Sequence, residues 1–490
     1  MSRTGKQPRH AATIGVLSDN VLLEVFDFCQ KDHDPGSRRL AGRQEAVWDW
    51  HILVHVCQRW RQVVFASPLR LNLRILCKHG TRVRKNLDIW PAFPIHIEYF
   101  YSRTIEGIDE DSVIAALEHP DRVRAVSHYQ VTSLLLRKMI TIMQEPFPAL
   151  THLFLSTHDS TDVPVLPSEF LGRSAPCLQT IKLVRIPFPA LPALLLSTSD
   201  LVTLHLDEIP QNGYISPEAM VMALTALTRL EDLRLGFRSP ASRPDQVRLP
   251  PTTRIVLPAL TDFNFRGARE YLEDFVASIY APQLHMIWTS FFNQIVDFEI
   301  PQLWQFVEHS EDFHRPMQCL LEFQAKNVTF CAGPTTRIPE SKSFAAFTRC
   351  MNINVLCKGI DWQVSHISRA LNRISAVLLN MLHLVIDSSS VSPEPEGMDD
   401  IEWLELLRPF SSIQTLFVSS EFAGHVSRAL ENSTSVMATT FLPALDMLCL
   451  EGQPVPPLHK FIASRRESAN PVITVNTRRA FGERLRSYVS

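Results

Sequence analysis

Leu201-Val-Thr-Leu-His-Leu206 decides how this chain is read. Leucines at i, i+3 and i+5 suit a short strand, in which the second and third point to one face and their neighbours to the other. The spacing recurs, with apolar substitutes, at Leu150/Leu153/Leu155, Leu178/Ile181/Leu183, Leu230/Leu233/Leu235 and Leu260/Phe263/Phe265. It returns at Leu379/Leu382/Leu384, Ile413/Leu416/Val418 and Leu445/Leu448/Leu450, with a weaker copy at Val123/Val126. One such unit cannot bury its leucine face alone, whereas a stack buries it continuously. Starts separated by a few tens of residues mark a repeat architecture.

Helical patterns lie between these strands. Ser216-Pro217-Glu218 supplies an N-cap and a first-turn proline, and Met220, Leu224 and Leu227 form the stripe behind them. Leu272/Phe275/Val276/Ile279, Leu303/Phe306/Val307 and Ile401/Leu404/Leu407 read as further helices. Phe-Pro-Ala-Leu at 147–150, Ala-Pro-x-Leu at 175–178 and 281–284, and Leu-Pro-Ala-Leu at 257–260 and 442–445 precede strands, where proline presets extended backbone. Alternation of strand and helix predicts an α/β fold, a solenoid of parallel strands. Residues 285–378 show the motif poorly, with alternation only at Met317–Phe323 and at Val328 and Phe330, so either degenerate repeats or a packed insertion fits there. Residues 388–400 read as an acidic, proline-bearing loop. After the final strand, Pro456, Leu458, Phe461 and Ile462 suggest a last helix, and Val472, Ile473 and Val475 a last strand.

The N-terminal stretch carries a different signal. In Leu17-Ser-Asp-Asn-Val-Leu-Leu-Glu-Val-Phe-Asp-Phe28, Val21, Leu22, Val25, Phe26 and Cys29 fall at helical spacing behind Ser18 as N-cap. Leu53, Val56, Cys57, Trp60 and Val64 predict a second helix, ended by Pro68. A module of about fifty residues hides only about 60% of its unfolded surface and leans on a partner. Leu-x-x-x-Val-Leu-x-x-Val-Phe at 17–26, Trp50, Val-Cys-x-x-Trp-Arg at 56–61 and Ser-Pro at 67–68 resemble an F-box. More narrowly, the chain is similar to fungal F-box-like proteins with irregular leucine-rich repeats behind the motif. The resemblance implies a small all-helical F-box that docks on the Skp-type adaptor of a cullin–RING ubiquitin ligase, followed by repeats that hold a substrate protein. It implies that Leu17, Val21, Leu22, Val25, Phe26, Val56, Cys57 and Trp60 are divided between the small core and the adaptor contact. Ser18 stands where proline is common in the family, and residues 30–46 form a long charged insertion. The expected organisation is a disordered tail at 1–13, the F-box at 14–68, a bridging segment at 69–122, the repeats at 123–476 and a basic tail at 477–490. The Asn or Cys that bonds its neighbours in regular leucine-rich repeats is replaced by His158, Ile186, Ile209 and Arg238, so no polar ladder is expected.

Composition narrows the function classes. A net charge of −3 with 45% hydrophobic residues gives no sign of wholesale disorder, nucleic-acid binding or attraction to a membrane surface. No apolar run approaches the roughly 20 residues of a membrane span, and no secretory signal is legible. Nine cysteines without a CxxC pair fit reduced thiols and a cytoplasmic or nuclear location. The chain lacks GxSxG, GxxxxGK[ST], GxGxxG and HExxH, and 16 glycines leave little for a phosphate-cradling loop. Cys350 and Cys357 lack the spacing of a zinc site, and His152, His158 and Asp159 read as strand and loop residues. No catalytic, cofactor or metal residue is assigned.

Parity then places the candidate substrate contacts. If Leu153 and Leu155 face inward, His152, Phe154 and Ser156 face outward, as do Lys182, His205, Asp207, Asp232, Arg234, Asp262, Asn264 and Arg266 in neighbouring units. A mixed-charge surface suits a protein partner and lacks the dense positive field that nucleic acid favours. His152, Phe154, Lys182, His205, Arg234 and Arg266 are the candidate contacts, with the aromatic ring and the arginines as anchors. The competing expectation is a leucine-rich-repeat interaction scaffold outside any ubiquitin ligase.

Overall fold

The computed structural model describes residues 17–31, 51–67, 71, 73–99, 110–159, 162–238, 254–292, 298–310, 313, 316–334, 350–357, 360–372, 380–388, 400–436, 441–451, 458–467 and 474–478. The N-terminal tail, most of the charged insertion, Trp50, Pro68, the acidic stretch 389–399, Pro456, Val472, Ile473 and the basic tail from 479 lie outside these residues. The chain divides into two compact units, Met1–Ser127 and His128–Ser490.

The smaller unit opens with three helices, α1 (Asp19–Lys31), α2 (His51–Val56) and α3 (Gln58–Ala66). The sequence predicts one helix across Val56 and Trp60, and the structure breaks it at Cys57. There the backbone is extended (φ −158°, ψ 170°), and the sulfur accepts the Trp60 N–H at 3.5 Å, capping α3 as a serine would. Next come β1 (Ile75–Cys77), α4 (Val83–Ile89), β2 (Ile95–Tyr99), α5 (Glu110–Leu117) and β3 (Val123–His128). β1 lies parallel to β2, with Ile75 opposite Ile95 and Cys77 opposite Ile97. All four side chains are buried.

The larger unit alternates helix and strand: α6 (Ser133–Ile142), β4 (His152–Ser156), β5 (Thr180–Val184), α7 (Leu191–Leu195), β6 (Thr203–Ile209), α8 (Pro217–Leu224) and β7 (Asp232–Phe237). It continues through β8 (Ile255–Val256), β9 (Asp262–Gly267), α9 (Arg269–Ala277), β10 (Ile279–Tyr280), β11 (Met286–Phe291) and α10 (Pro301–Glu308). It closes with β12 (Gln318–Gln324), β13 (Asn327–Gly333), β14 (Cys350–Leu356), α11 (Ile360–Asn372), β15 (His383–Ser388), α12 (Asp400–Leu407), β16 (Thr415–Val418), α13 (Ser420–Val436), β17 (Met447–Glu451), α14 (His459–Glu467) and β18 (Thr474–Arg478). The strands form one large, mostly parallel sheet in the order β4-β5-β6-β7-β9-β11-β14-β13-β12-β15-β16-β17-β18. β8 and β10 pair by themselves.

Register carries the leucine motif across the sheet. Leu153, Ile181, Leu204, Leu233, Phe263 and Ile287 stand in one row, and Leu155, Leu183, Leu206, Leu235, Phe265 and Thr289 in the next. All are buried. Residues 285–378 contain an insertion: β12 and β13 form an antiparallel hairpin with a two-residue loop, Ala325-Lys326, and β13 runs antiparallel to β14 as well. Ile279 leaves its expected helix for β10, and Ile401 is exposed while Trp403, Leu404, Leu406 and Leu407 turn α12 inward. Trp403 is fully buried against Phe323 and Phe422, at ring separations of 6.0 and 5.4 Å.

Helix starts are satisfied in two ways. Thr132 and Ser216 cap their own helices, accepting from Leu135 N and Ala219 N at 3.2 Å each. α10 and α14 instead borrow a carboxylate from the helix before. Glu273 on α9 accepts from Gln302 N and Leu303 N at 2.8 and 3.0 Å, and Glu431 on α13 accepts from Lys460 N and Phe461 N at 3.0 and 3.2 Å. Burial raises the Glu273 carboxyl to about 7, against the pull of those two N–H groups. Buried Arg465 on α14 donates to the carbonyls of Leu442, Pro443 and Leu445 in the turn before β17.

Candidate functional site

Two surfaces stand out, one on each unit. In the smaller unit Ser18 begins α1 by accepting the Val21 N–H through its hydroxyl at 3.4 Å. Arg59 on α3 then ties this end down, reaching Asp19 at 2.7 Å and the Leu17 carbonyl. Leu22, Leu23 and Phe26 point into the small core with Leu53, Val54, Val63 and Val64. Trp60 meets Phe26 edge-on at 4.8 Å but is only half-buried, less than its place in the sequence stripe suggests. The opposite side of α1 is apolar too. Leu17, Val21, Val25 and Phe28, at i, i+4, i+8 and i+11, are between 36% and 68% exposed, as are Ile52 and Val56 on α2. Cys57 is also exposed. Thus Leu22 and Phe26 belong to the core, while Leu17, Val21, Val25, Val56 and Cys57 lie on the surface.

On the larger unit, parity and register assemble the open face of the sheet. Phe154, Lys182, His205, Arg234, Asn264 and Trp288 form one row over β4, β5, β6, β7, β9 and β11. His152 lies two residues back on β4 and Arg266 two residues on along β9, so all six candidate contacts share this face, at inter-strand steps of about 4.8 Å. His205 is buried and meets Asp232 at 2.6 Å. Burial pushes Asp232 up, yet the His205 bond and the charges of His205, Arg234 and Lys182 prevail and hold it below the usual carboxylate range. Asp207 moves the other way, raised mainly by burial. Burial and the Lys182 charge both lower His152.

Two aromatic residues escaped the sequence reading. Tyr129, exposed, packs on Phe154 at 4.2 Å between ring centroids. Trp288 carries the row onto β11, 38% exposed. Its strand was hidden because Leu284/Ile287/Thr289 breaks the motif at the third position, where Thr289 is buried and donates to the Asn352 carbonyl at 3.3 Å.

The expectation that no polar ladder exists also needs correction. At the ends of the first strands, Gln130 contacts His158 at 2.7 Å, His158 contacts Arg185 at 3.2 Å, and Arg185 meets Glu208 at 2.7 Å. Gln130, Arg185 and Glu208 all have left-handed backbone, with φ of 61°, 63° and 51°. Each such non-glycine residue costs about 1–3 kcal/mol. Glu208 also sits where the β6–β7 register shifts between Leu206 and Ile209. This chain lies at the surface and links side chains. The Arg185 hydrogen bond holds Glu208 low.

Among the described residues no group of three His, Cys, Asp or Glu side chains is placed to hold a metal ion. No described helix is long and apolar enough to cross a membrane. Neither a protein-family model nor a curated protein matches this chain.

Proposed function

We propose that this protein is the substrate-recognition subunit of a cullin–RING ubiquitin ligase. In this reading residues 14–68 act as an F-box that docks on a Skp-type adaptor, and the strand–helix units act as an irregular leucine-rich-repeat solenoid that holds the substrate. One observation carries it: Leu17 and, along α1, Val21, Val25 and Phe28 present an apolar stripe to solvent, and Ile52 and Val56 on α2 are exposed as well. Four large apolar side chains on one face of a helix, left to solvent, mark a place where another protein sits, in the manner of an amphipathic helix laid in a groove. Leu22, Leu23 and Phe26 already occupy the core, so the stripe is not needed for folding. The repeated strand–helix order, with the leucine rows inward and a mixed-charge face outward, supports the substrate-holding role.

The test is capture of the full chain by an immobilised Skp-type adaptor, with wild type against a Val21→Asp/Val25→Asp variant. Both changes lie on exposed positions, so the fold survives and capture drops at least a hundredfold. Equal capture of the two proteins, or no capture of wild type, leaves the scaffold outside any ligase as the better account.

A further inference from the structure

A strongly basic turn lies in the smaller unit. Lys78-His-Gly-Thr-Arg-Val-Arg-Lys85 leads from β1 into α4 and sets Lys78, Arg82, Arg84 and Lys85 close together, in a chain whose net charge is −3. All four are exposed. Arg84 meets Glu118 on α5 at 3.5 Å, whereas Lys78, Arg82 and Lys85 have no carboxylate partner among the described residues. The turn that presents them is held in place. Gly80 takes a φ of 78°, the Thr81 hydroxyl accepts the Lys78 N–H at 3.0 Å, and the Ser112 hydroxyl on α5 donates to the Thr81 carbonyl at 3.1 Å. Arg82, Arg84 and Lys85 also crowd the start of α4, where a helix favours anions, so their charge does not serve its stability.

Position and charge define the partner. α4 buries Val83 and turns Arg82, Lys85 and Ile89 outward, at i, i+3 and i+7 of one face. Ile89 is 59% exposed. Trp90, at the end of this helix, meets His55 of α2 edge-on at 6.3 Å. His55 shares the exposed face of α2 with Ile52 and Val56, so that face and the Ile89 end of α4 adjoin. Lys85 and Arg82 follow about 6 and 10 Å further along α4. Unpaired cations beside apolar side chains complement a polypeptide that carries both carboxylates and apolar groups. Nucleic acid presents phosphates every few ångströms, and the exposed carboxylates of Asp88 and Glu118 flank this patch.

We propose that Lys78, Arg82 and Lys85 bind an acidic segment of the same protein that docks on α1, extending that contact along α4. The inference rests on the docking reading and adds the charge of the partner's second contact.

The experiment measures the affinity of the full chain for an immobilised Skp-type adaptor at low and at high sodium chloride. Reversing the charges, Lys78→Glu/Arg82→Glu/Lys85→Glu, should weaken binding about tenfold at low salt and no more than about twofold at high salt, because exposed charges are screened. The swap Lys78→Arg/Arg82→Lys/Lys85→Arg should bind as wild type does. Equal affinity of the charge-reversed and wild-type chains at both salts overturns the proposal, as does a loss that salt leaves unchanged. Tighter binding of wild type to a single-stranded oligonucleotide or to phosphatidylserine vesicles than to the adaptor overturns it too, and gives the patch to another class of partner. The Val21→Asp/Val25→Asp chain separates the two readings. If that chain loses capture while charge reversal changes nothing, the docking stands and the basic extension falls. If wild type is not captured at all, both fall.

Discussion

Along β4 the side chains alternate between core and solvent; along β13 nearly every one is buried, although the two strands belong to one sheet. The row that holds Phe154, Lys182 and Arg234 at one end continues through Asn352, Cys331 and Val385, which are all but inaccessible. Identical register thus serves two purposes. In the first sector the open side is a surface with charge and aromatic anchors. In the second much of it is buried, with Leu320 and Asn354 only half-buried. Helix starts divide the same way, since α6 and α8 cap themselves, while α10 and α14 depend on Glu273 and Glu431 from elsewhere.

The sharpest way to break the contrast is to empty the more buried sector. Phe330 on β13 is 0% exposed, so Phe330→Ala should cost about 3–5 kcal/mol in denaturant unfolding, whereas Phe154→Ala, half-exposed, should cost under about 1. Comparable losses would show that the two sectors are equally packed.

A pH series sharpens the second half of the contrast. Glu273 is raised to about 7 from an ordinary 4.5. Below 4.5 both folded and unfolded chains are protonated there, and the group has no net effect. Between 4.5 and 7 the folded chain keeps a proton that the unfolded chain releases, so stability falls as pH rises through that window and is level above it. The difference between pH 5 and pH 8 should reach about 2.5 kcal/mol for this group and shrink by that amount in Glu273→Gln. The Gln oxygen can still accept from Gln302 or Leu303. An unchanged pH slope would mean the carboxylate is solvated.

Self-capping predicts a smaller, pH-independent effect. Ser216→Ala should cost about 1 kcal/mol, and Ser216→Asp should restore it. The combined Phe154→Ala/Arg234→Ala/Arg266→Ala variant should change stability by no more than about 1 kcal/mol while its set of co-purified partners shrinks. An unchanged partner set with intact adaptor capture would move the reading surface away from the first sector.

Much of the first sector was legible because its determinants are local. Leu153, Leu155 and their counterparts repeat within six residues, and parity alone places Lys182 and Arg234. Ser216-Pro217 announces α8 by itself. The second sector was opaque because its determinants are distant or broken. Glu273 caps a helix that starts at Pro301, and Thr289 interrupts the motif that would have revealed Trp288. The polar chain was missed for another reason, since it depends on left-handed backbone at Gln130, Arg185 and Glu208, which residue identity does not announce. In the smaller unit apolar spacing located the helices, but it could not say that Val21 and Val25 face outward while Leu22 and Phe26 face inward. Both pairs obey the same period, and only the position of α3 separates them.

The borrowed caps also give the larger unit a direction under load. Each runs from an earlier helix to a later one: Glu273 serves α10 and Glu431 serves α14. Peeled from its C-terminal end, the chain sheds α14 while Glu431 stays on α13, so each step leaves an intact element behind. Drawn from the other end, loss of α9 would strip the first turn of α10 at the same moment. A force trace should therefore show separate small steps from one end and merged, larger ruptures from the other.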